Sequence, residues 1–177
     1  MTRKRTMLLL FGIALAVLIP AGMAIADGRG ELDGSVPATA AFHDIDVATA
    51  AGYSVTVEDL AKKTCIAQAG AGGMGVHRLD PTLLDEKIDP LHPEALVYEP
   101  TDNGRMKLVA LEYIVFKSAW EGVHGAGSVP SLFGQPFMLT PAGNRFGLPD
   151  FFALHSWIWK PNPSGLFQPW NPRVICP

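Results

Sequence analysis

Three side chains that could together bind a metal ion lie on different apolar segments of the chain: His77, Glu112 and His155. Each lies inside a predicted strand, and an ionised carboxylate among apolar neighbours is costly unless it is paired or bound to a metal. Two imidazoles and a carboxylate from three strands of one sheet form a donor set for a divalent transition metal such as zinc, copper or iron. An open coordination position would let such an ion polarise a water molecule or a substrate.

These residues also have a purely structural interpretation. Both histidines can be hydrogen-bonded core residues, and Glu112 can pair with Arg78 or Arg145. No HxH spacing distinguishes the two interpretations, and both stay open at this point.

The other titratable residues are weaker candidates. His43 stands beside Asp44 at a predicted helix start, which favours a solvated position, and Glu99 is expected to be exposed near a hairpin end. His92 in a turn and His124 in a Gly-rich stretch are possible accessory ligands. The chain contains no HExxH, Walker, GxSxG or CxxC motif, so no catalytic residue is assigned and whether the protein is an enzyme stays open.

Aromatic residues surround His155 at strand spacing. Alternation places Phe151, Trp157 and Trp159 on the same face as His155. They are predicted to form the wall of a ligand pocket, with plain core packing as the alternative.

A β-hairpin is the clearest local structure. Asn103-Gly104 separates two apolar runs, residues 95–99 and 107–116, and is typical of a two-residue hairpin loop. This loop predicts the facing pairs Glu99–Leu108, Val97–Ala110 and Ala95–Glu112. One face then carries Val97, Leu108, Ala110, Glu112 and Ile114.

Helices are predicted near the N-terminus and strands after them. Thr39 is a candidate cap for a helix over residues 40–51, and residues 58–63 predict a second short helix. Residues 151–159 predict a last strand, and the Gly- and Pro-rich residues 122–150 predict a loop that packs down as a lid or strap. The expected fold is α+β, with short N-terminal helices followed by a mainly antiparallel β-sheet.

The first 26 residues have the layout of a secretory signal peptide. Arg3, Lys4 and Arg5 precede an apolar run too short to cross a bilayer, and small residues predict cleavage after Ala26. An uncleaved anchor is the alternative. Residues 27–38 are then a flexible lead-in and residues 39–177 a single globular domain. The mature protein is expected to be exported, periplasmic or extracellular, without a membrane segment after cleavage.

Charge excludes one class of partner. The leader holds three basic residues and no acidic ones, so its removal from a chain with 14 Lys and Arg and 17 Asp and Glu leaves a net charge of −6. Nucleic-acid binding depends on Lys and Arg neutralising phosphate, so no nucleic-acid partner is expected.

Two cysteines remain in the mature chain. An even number in an exported protein predicts one disulfide, Cys65–Cys176, which would fasten the chain end to the N-terminal third. A thiol pair on a metal is the alternative.

Several strings occur together in a fixed order: residues 72–77 (GGMGVH), 93–100 (PEALVYEP), 154–159 (LHSWIW) and 170–176 (WNPRVIC). In this combination the chain, over residues 41–176, resembles a family of exported bacterial proteins of unknown function. The resemblance implies an exported, disulfide-closed domain and brings no reaction with it.

Three functions therefore compete. The first is an exported domain with a polar pocket on His77, Glu112 and His155 that binds a metal. The second is a protein whose aromatic pocket binds an apolar small molecule, and the third is an extracellular structural or interaction domain without pocket chemistry.

Overall fold

An antiparallel sheet of seven strands forms the centre of the structure, a computed structural model that describes residues 29–177. The strands are β1 Val55–Thr56, β2 Cys65–Gln68, β3 Gly72–Leu79, β4 Ala95–Pro100, β5 Met106–Phe116, β6 Ser131–Leu132, β7 Gln135–Pro136, β8 Met138–Thr140 and β9 Phe151–Ser156. In the main sheet they follow the order β1-β3-β4-β5-β9-β8, and β2 pairs with β3 beside β1. A separate two-stranded sheet joins β6 and β7.

Three short α-helices accompany the sheet: α1 Arg29–Thr39, α2 Ile45–Ala50 and α3 Lys117–His124. Two 3₁₀ turns cover Ala40–His43 and Pro81–Leu83. The predicted α+β class, with N-terminal helices before a mainly antiparallel sheet, is confirmed, although α3 interrupts the strands. Within residues 29–177 no helix combines the length and the apolar character needed to span a bilayer.

The sheet has two differently covered faces. On one face, buried residues of the central strands pack against the N-terminal helices, which contribute Leu32, Phe42 and Ile45. Burial of each large apolar side chain stabilises the fold by about 1.5–3 kcal/mol. The other face is covered in part by residues 157–177, which we name the C-terminal segment. Its residues Trp157 and Val174 pack on Val97 and Ala110. The candidate site lies on this second face.

The β4–β5 hairpin follows the prediction only near its open end. The predicted pairs that occur are Val97–Ala110 and Ala95–Glu112. Glu99 faces Lys107 instead of Leu108, because Val109 is an extra residue that forms a bulge in β5. Leu108 therefore joins the helix-covered core, and the predicted two-residue loop is a five-residue loop over 101–105.

The helix boundaries differ from the sequence expectation. Helix α1 occupies most of the lead-in predicted to be flexible, and Ser35 anchors it through a 2.7 Å hydrogen bond to the Pro90 carbonyl. Thr39 ends α1 and does not cap the next helix. Asp44 caps α2 instead, since its side chain accepts from the amide of Asp46 at 2.9 Å. The predicted leader and cleavage after Ala26 lie outside the described residues.

The helix predicted over residues 58–63 is a turn. The Asp59 carboxylate accepts hydrogen bonds from the amides of Ala61 and Lys63, both at 2.9 Å. Lys62 has a φ of 63°, which a right-handed helix does not allow. A short side-chain acceptor inside the segment thus competes with helical hydrogen bonding.

The predicted disulfide Cys65–Cys176 is confirmed, with a Cα–Cα separation of 5.5 Å. Beside it, Gly73 and Asn171 exchange backbone hydrogen bonds of 3.1 and 3.0 Å. A Cβ atom on Gly73 would lie 2.8 Å from Val174, so the C-terminal segment needs glycine here to approach β3. The glycine run therefore serves backbone packing.

Residues 122–150 contain more structure than the predicted loop. The segment includes the end of α3 and strands β6 to β8, and Leu132, Phe133 and Phe137 pack into the core. Residues 141–150, which we name the roof segment, have no regular structure. They cross the second face of the sheet, where Arg145 pairs with Asp59 at 2.8 Å and donates to the Ala67 carbonyl at 3.1 Å.

Candidate metal centre

Three neighbouring regions of the sheet position the candidate ligands. Glu112 in β5 and His155 in β9 are direct cross-strand partners, so their side chains leave the same face side by side. His77 lies two strands from Glu112, in β3, with β4 between them. The β4 residue opposite Glu112 is Ala95, and its single methyl group leaves room for His77 to reach across.

The side chains of these three residues meet. Nε2 of His77 lies 3.4 Å from Nε2 of His155 and 3.2 Å from Oε2 of Glu112. Nδ1 of His155 lies 3.5 Å from Oε1 of Glu112. One ligand atom from each residue can be chosen so that all three lie within 4.8 Å of one another. For comparison, zinc bonds of about 2.0–2.2 Å place two ligands of a tetrahedral shell about 3.3–3.6 Å apart.

The cluster is almost completely shielded from water. His77, Glu112 and His155 expose 4%, 7% and 2% of their surface. Burial raises the pKa of Glu112 to about 8. Burial lowers the pKa of His77 to about 4, against a weaker opposing effect of the Gly75 backbone. Burial, and secondarily the neighbouring His77, lowers the pKa of His155 well below its usual value. Burial therefore favours the neutral form of each of the three side chains in the metal-free cluster.

Hydrogen bonding within the neutral cluster is incomplete. Nδ1 of His77 is buried and makes no hydrogen bond of standard geometry within residues 29–177, although the Gly75 backbone offers the ring a weak one. When Nδ1 carries the ring hydrogen, the Nε2 lone pair faces His155 and Glu112, as it would when binding a shared cation. When Nε2 carries it, Nδ1 is left as a buried acceptor without a donor.

The arginine alternative for Glu112 is wrong. Arg78 points to the other face of the sheet, where it donates to the Tyr53 carbonyl and to Thr56 at 3.1 and 2.7 Å. Arg145 forms its ion pair with Asp59 instead of Glu112. Within residues 29–177 the only charged or titratable groups that contact the Glu112 carboxylate are the two imidazoles.

An apolar cavity of about 110 Å³ adjoins the cluster. Along β9 its lining runs from His155 through Ala153 to Phe151, and along β5 it runs from Glu112 toward Phe116. The polar groups therefore lie at one end of an apolar space.

The three predicted wall residues have different positions. Phe151 lines the cavity. Trp157 stacks on the His155 ring at a centroid distance of 6.0 Å, and its Nε1 donates to the Gln168 carbonyl at 2.6 Å. Trp159 is not near the cavity, because β9 ends at Ser156 and the alternation stops there. Its Nε1 donates instead to Thr39 at 3.3 Å, on the helix-covered side.

The remaining histidines lie away from the cluster. His43 is exposed and packs edge-on against Trp159 at 4.5 Å. His92 pairs with Asp89 at 2.8 Å, and His124 stacks on Trp120 at 3.7 Å. None of the three supplies an accessory ligand.

Two of the other buried carboxylates, Glu99 and Glu94, were not predicted to be buried. Glu99, expected to be exposed, is 9% exposed and pairs with Lys160 at 2.6 Å. Glu94 is 2% exposed, and burial raises its pKa to about 8 although its Oε2 accepts from the Ile114 amide at 2.9 Å. Glu94 directly precedes β4, and the apolar run that follows it was the available signal of burial.

No family model, curated protein or solved structure matches this chain. The resemblance to exported bacterial proteins stays a prediction, and the function has to be inferred from the cluster and the cavity.

Proposed function

We propose that this protein is an exported metal-binding domain in which His77, Glu112 and His155 bind one divalent transition ion, with zinc, iron and copper as the candidates. The observation that carries the proposal is the convergence of the three ligand atoms within 4.8 Å in a buried site. Two histidines and one carboxylate are the protein ligands of several catalytic zinc sites and of non-haem iron sites. A bound ion would supply Lewis-acid or redox chemistry at its open positions.

The spacing of the donor atoms supports an ion over a purely structural network. A buried cation would accept the lone pairs that converge from His77 and His155, and it would stabilise the ionised form of Glu112. The spacings of 3.4 and 3.2 Å around Nε2 of His77 agree with those of two ligands on one ion.

Two observations support export. The Cys65–Cys176 disulfide fits an oxidising compartment, where such bonds persist. The N-terminal 26 residues have the composition of a signal peptide. We therefore place the protein in the periplasm or outside the cell.

Metal titration of the purified protein tests the proposal. Metal-free protein is titrated with Zn²⁺, Fe²⁺ and Cu²⁺, and the bound metal is measured by elemental analysis after gel filtration. We expect one equivalent of at least one ion. His77→Ala, His155→Ala and Glu112→Gln should each weaken binding by more than about 100-fold, since loss of groups behind the ligands already costs 10–100-fold.

Two variants serve as matched controls. His92→Ala removes an exposed histidine that lies outside the cluster. Glu94→Gln removes a buried carboxylate that does not face the two imidazoles. Both should retain full metal binding. Wild-type protein that retains no metal after titration and gel filtration would overturn the proposal. Equal metal content in wild type and all three ligand variants would overturn it as well.

A further inference from the structure

We infer that the cavity beside the cluster binds a small, mainly apolar molecule, about as large as one aromatic ring, whose single oxygen or nitrogen atom points toward the metal centre. This assigns a ligand class to the site described above. The contact with the ion rests on the proposed function, whereas the fit of the apolar part rests on the cavity alone.

The distribution of polar groups in the lining sets the ligand's polarity. Apart from the three cluster residues, the side chains that line the cavity are apolar, with Thr140 as the exception. A ligand with one polar end can place it on the cluster and leave the rest against hydrocarbon. A ligand with polar groups at both ends would lose hydrogen bonds on entering.

The lining also limits the charge that the metal-free cavity accepts. No lysine, arginine or aspartate within residues 29–177 lines the cavity. An anion entering the metal-free cavity would find no side-chain cation beside it, and transfer of a charge into an apolar medium is costly without a partner. We therefore expect the metal-free protein to discriminate against the benzoate ion in favour of phenol.

The cavity volume limits the ligand's size. An apolar cavity of about 150 Å³ is known to accept benzene. The cavity here measures about 110 Å³, which is smaller than that benzene-binding cavity, so one small ring is the upper limit for the ligand. Ala153 has the smallest side chain of the strand residues that line it, so a larger residue at this position should fill the space.

Access to the cavity lies at the edge of the sheet under the roof segment. Met138 of β8 and Leu148 of the roof segment line the cavity and are 41% and 39% exposed. Such exposure of large apolar side chains around a cavity is typical of a ligand-binding opening. Arg145 holds the roof segment in place through Asp59 at 2.8 Å, and Leu60 donates its amide to the Arg145 carbonyl at 2.9 Å.

Binding of benzene, phenol and benzoate tests the inference. Each probe is titrated into metal-loaded and metal-free protein, and binding is followed by calorimetry and by NMR shifts of methyl groups. We expect phenol to bind the metal-loaded protein with a Kd below about 1 mM, benzene to bind with or without metal, and benzoate to bind the metal-free protein at least tenfold more weakly than phenol does.

Variants locate the binding. Ala153→Leu should weaken phenol and benzene at least tenfold while metal content is retained, and Ala153→Val should give a smaller loss if the leucine variant does not fold. Ala69→Leu adds the same atoms at an exposed turn and should leave binding unchanged. His77→Ala should remove the preference for phenol over benzene and keep benzene binding.

The two proposals fail separately. Metal-loaded protein that binds neither benzene nor phenol would overturn the ligand inference and leave the metal proposal intact. Benzene binding by a protein that takes up no metal would support the cavity and overturn the metal centre. Benzoate bound by the metal-free protein as tightly as phenol, or phenol binding unaffected by Ala153→Leu, would overturn the ligand class or its location.

Discussion

Glu99 and Glu112 project from the same face of the β4–β5 hairpin, but their carboxylates have different partners. Both are buried, at 9% and 7% exposure. Glu99 has a cation of the same chain, because Nζ of Lys160 contacts its two oxygens at 2.7 and 2.6 Å and the Ile175 amide donates to it at 3.2 Å. Glu112 faces two imidazoles that burial keeps neutral.

This difference separates a structural carboxylate from a candidate functional one. Lys160 and Ile175 belong to the C-terminal segment, so the Glu99 pair fastens that segment to the sheet. No corresponding cation within residues 29–177 reaches Glu112. A buried carboxylate needs a partner when it is ionised, and for Glu112 we propose that the partner is an ion from solution.

The largest expected effect on stability comes from removing the lysine that pairs with Glu99. Lys160→Met leaves a buried carboxylate without its cation and should lower the free energy of unfolding by about 3 kcal/mol, the low end for a buried pair because Lys160 is partly exposed. Urea unfolding of the metal-free protein measures this. Adding Glu99→Gln should recover most of the loss, and metal binding should not change. An equal loss in the single and double variants would contradict the assignment.

A smaller effect on stability is expected from substitution of Glu94, which accepts a hydrogen bond but has no cationic partner within residues 29–177. Burial raises its pKa in the folded state to about 8, above the ordinary glutamate value of 4.5. The folded state therefore holds its proton more tightly, and this contribution to stability is present below pH 4.5 and is lost as the pH rises toward 8. Glu94→Gln removes that loss and should be more stable than wild type by about 2 kcal/mol at pH 6.

The control for Glu94 is the pH itself. At pH 4 the carboxyl is protonated in both states, so Glu94→Gln and wild type should unfold at the same urea concentration. A stability difference of the same size at pH 4 and pH 6 would show that packing, and not ionisation, is responsible.

The smallest effect concerns the residue that supports the proposed metal centre. Trp157 stacks on His155 and is held by Gln168. Trp157→Phe should loosen the orientation of the imidazole and weaken metal binding about tenfold, in the range seen for groups that orient ligands. Trp159→Phe, on the other side of the sheet, is the matched control and should not alter metal affinity. Equal affinities in all three proteins would remove Trp157 from the site.

The sequence predicted some parts of the fold and missed others for physical reasons. Alternating apolar residues predicted the strands around Glu112 and His155, because side-chain alternation is a local property of a strand. The Val109 bulge was missed because one inserted residue leaves no periodic signal. Trp159 was placed wrongly because the end of β9 depends on the bend that follows Ser156.

The candidate site was likewise predicted only in part from the sequence. The residue types of His77, Glu112 and His155 indicated metal chemistry, since buried donors of this kind are costly without a partner. Whether they meet depended on the strand order and on the small Ala95 between two of them. The pairing of Glu99 with Lys160 was missed because 61 residues separate them in the chain.

The amino-acid sequence by itself determined the α+β class, the disulfide and the residues able to bind a metal. These follow from composition, local periodicity and the count of cysteines. Only the tertiary structure decided that β9 lies beside β5, that three donors meet at one end of an apolar cavity, and that a lysine neutralises Glu99 but not Glu112. Contacts between distant segments depend on how whole layers pack, and local sequence patterns carry little information about that choice.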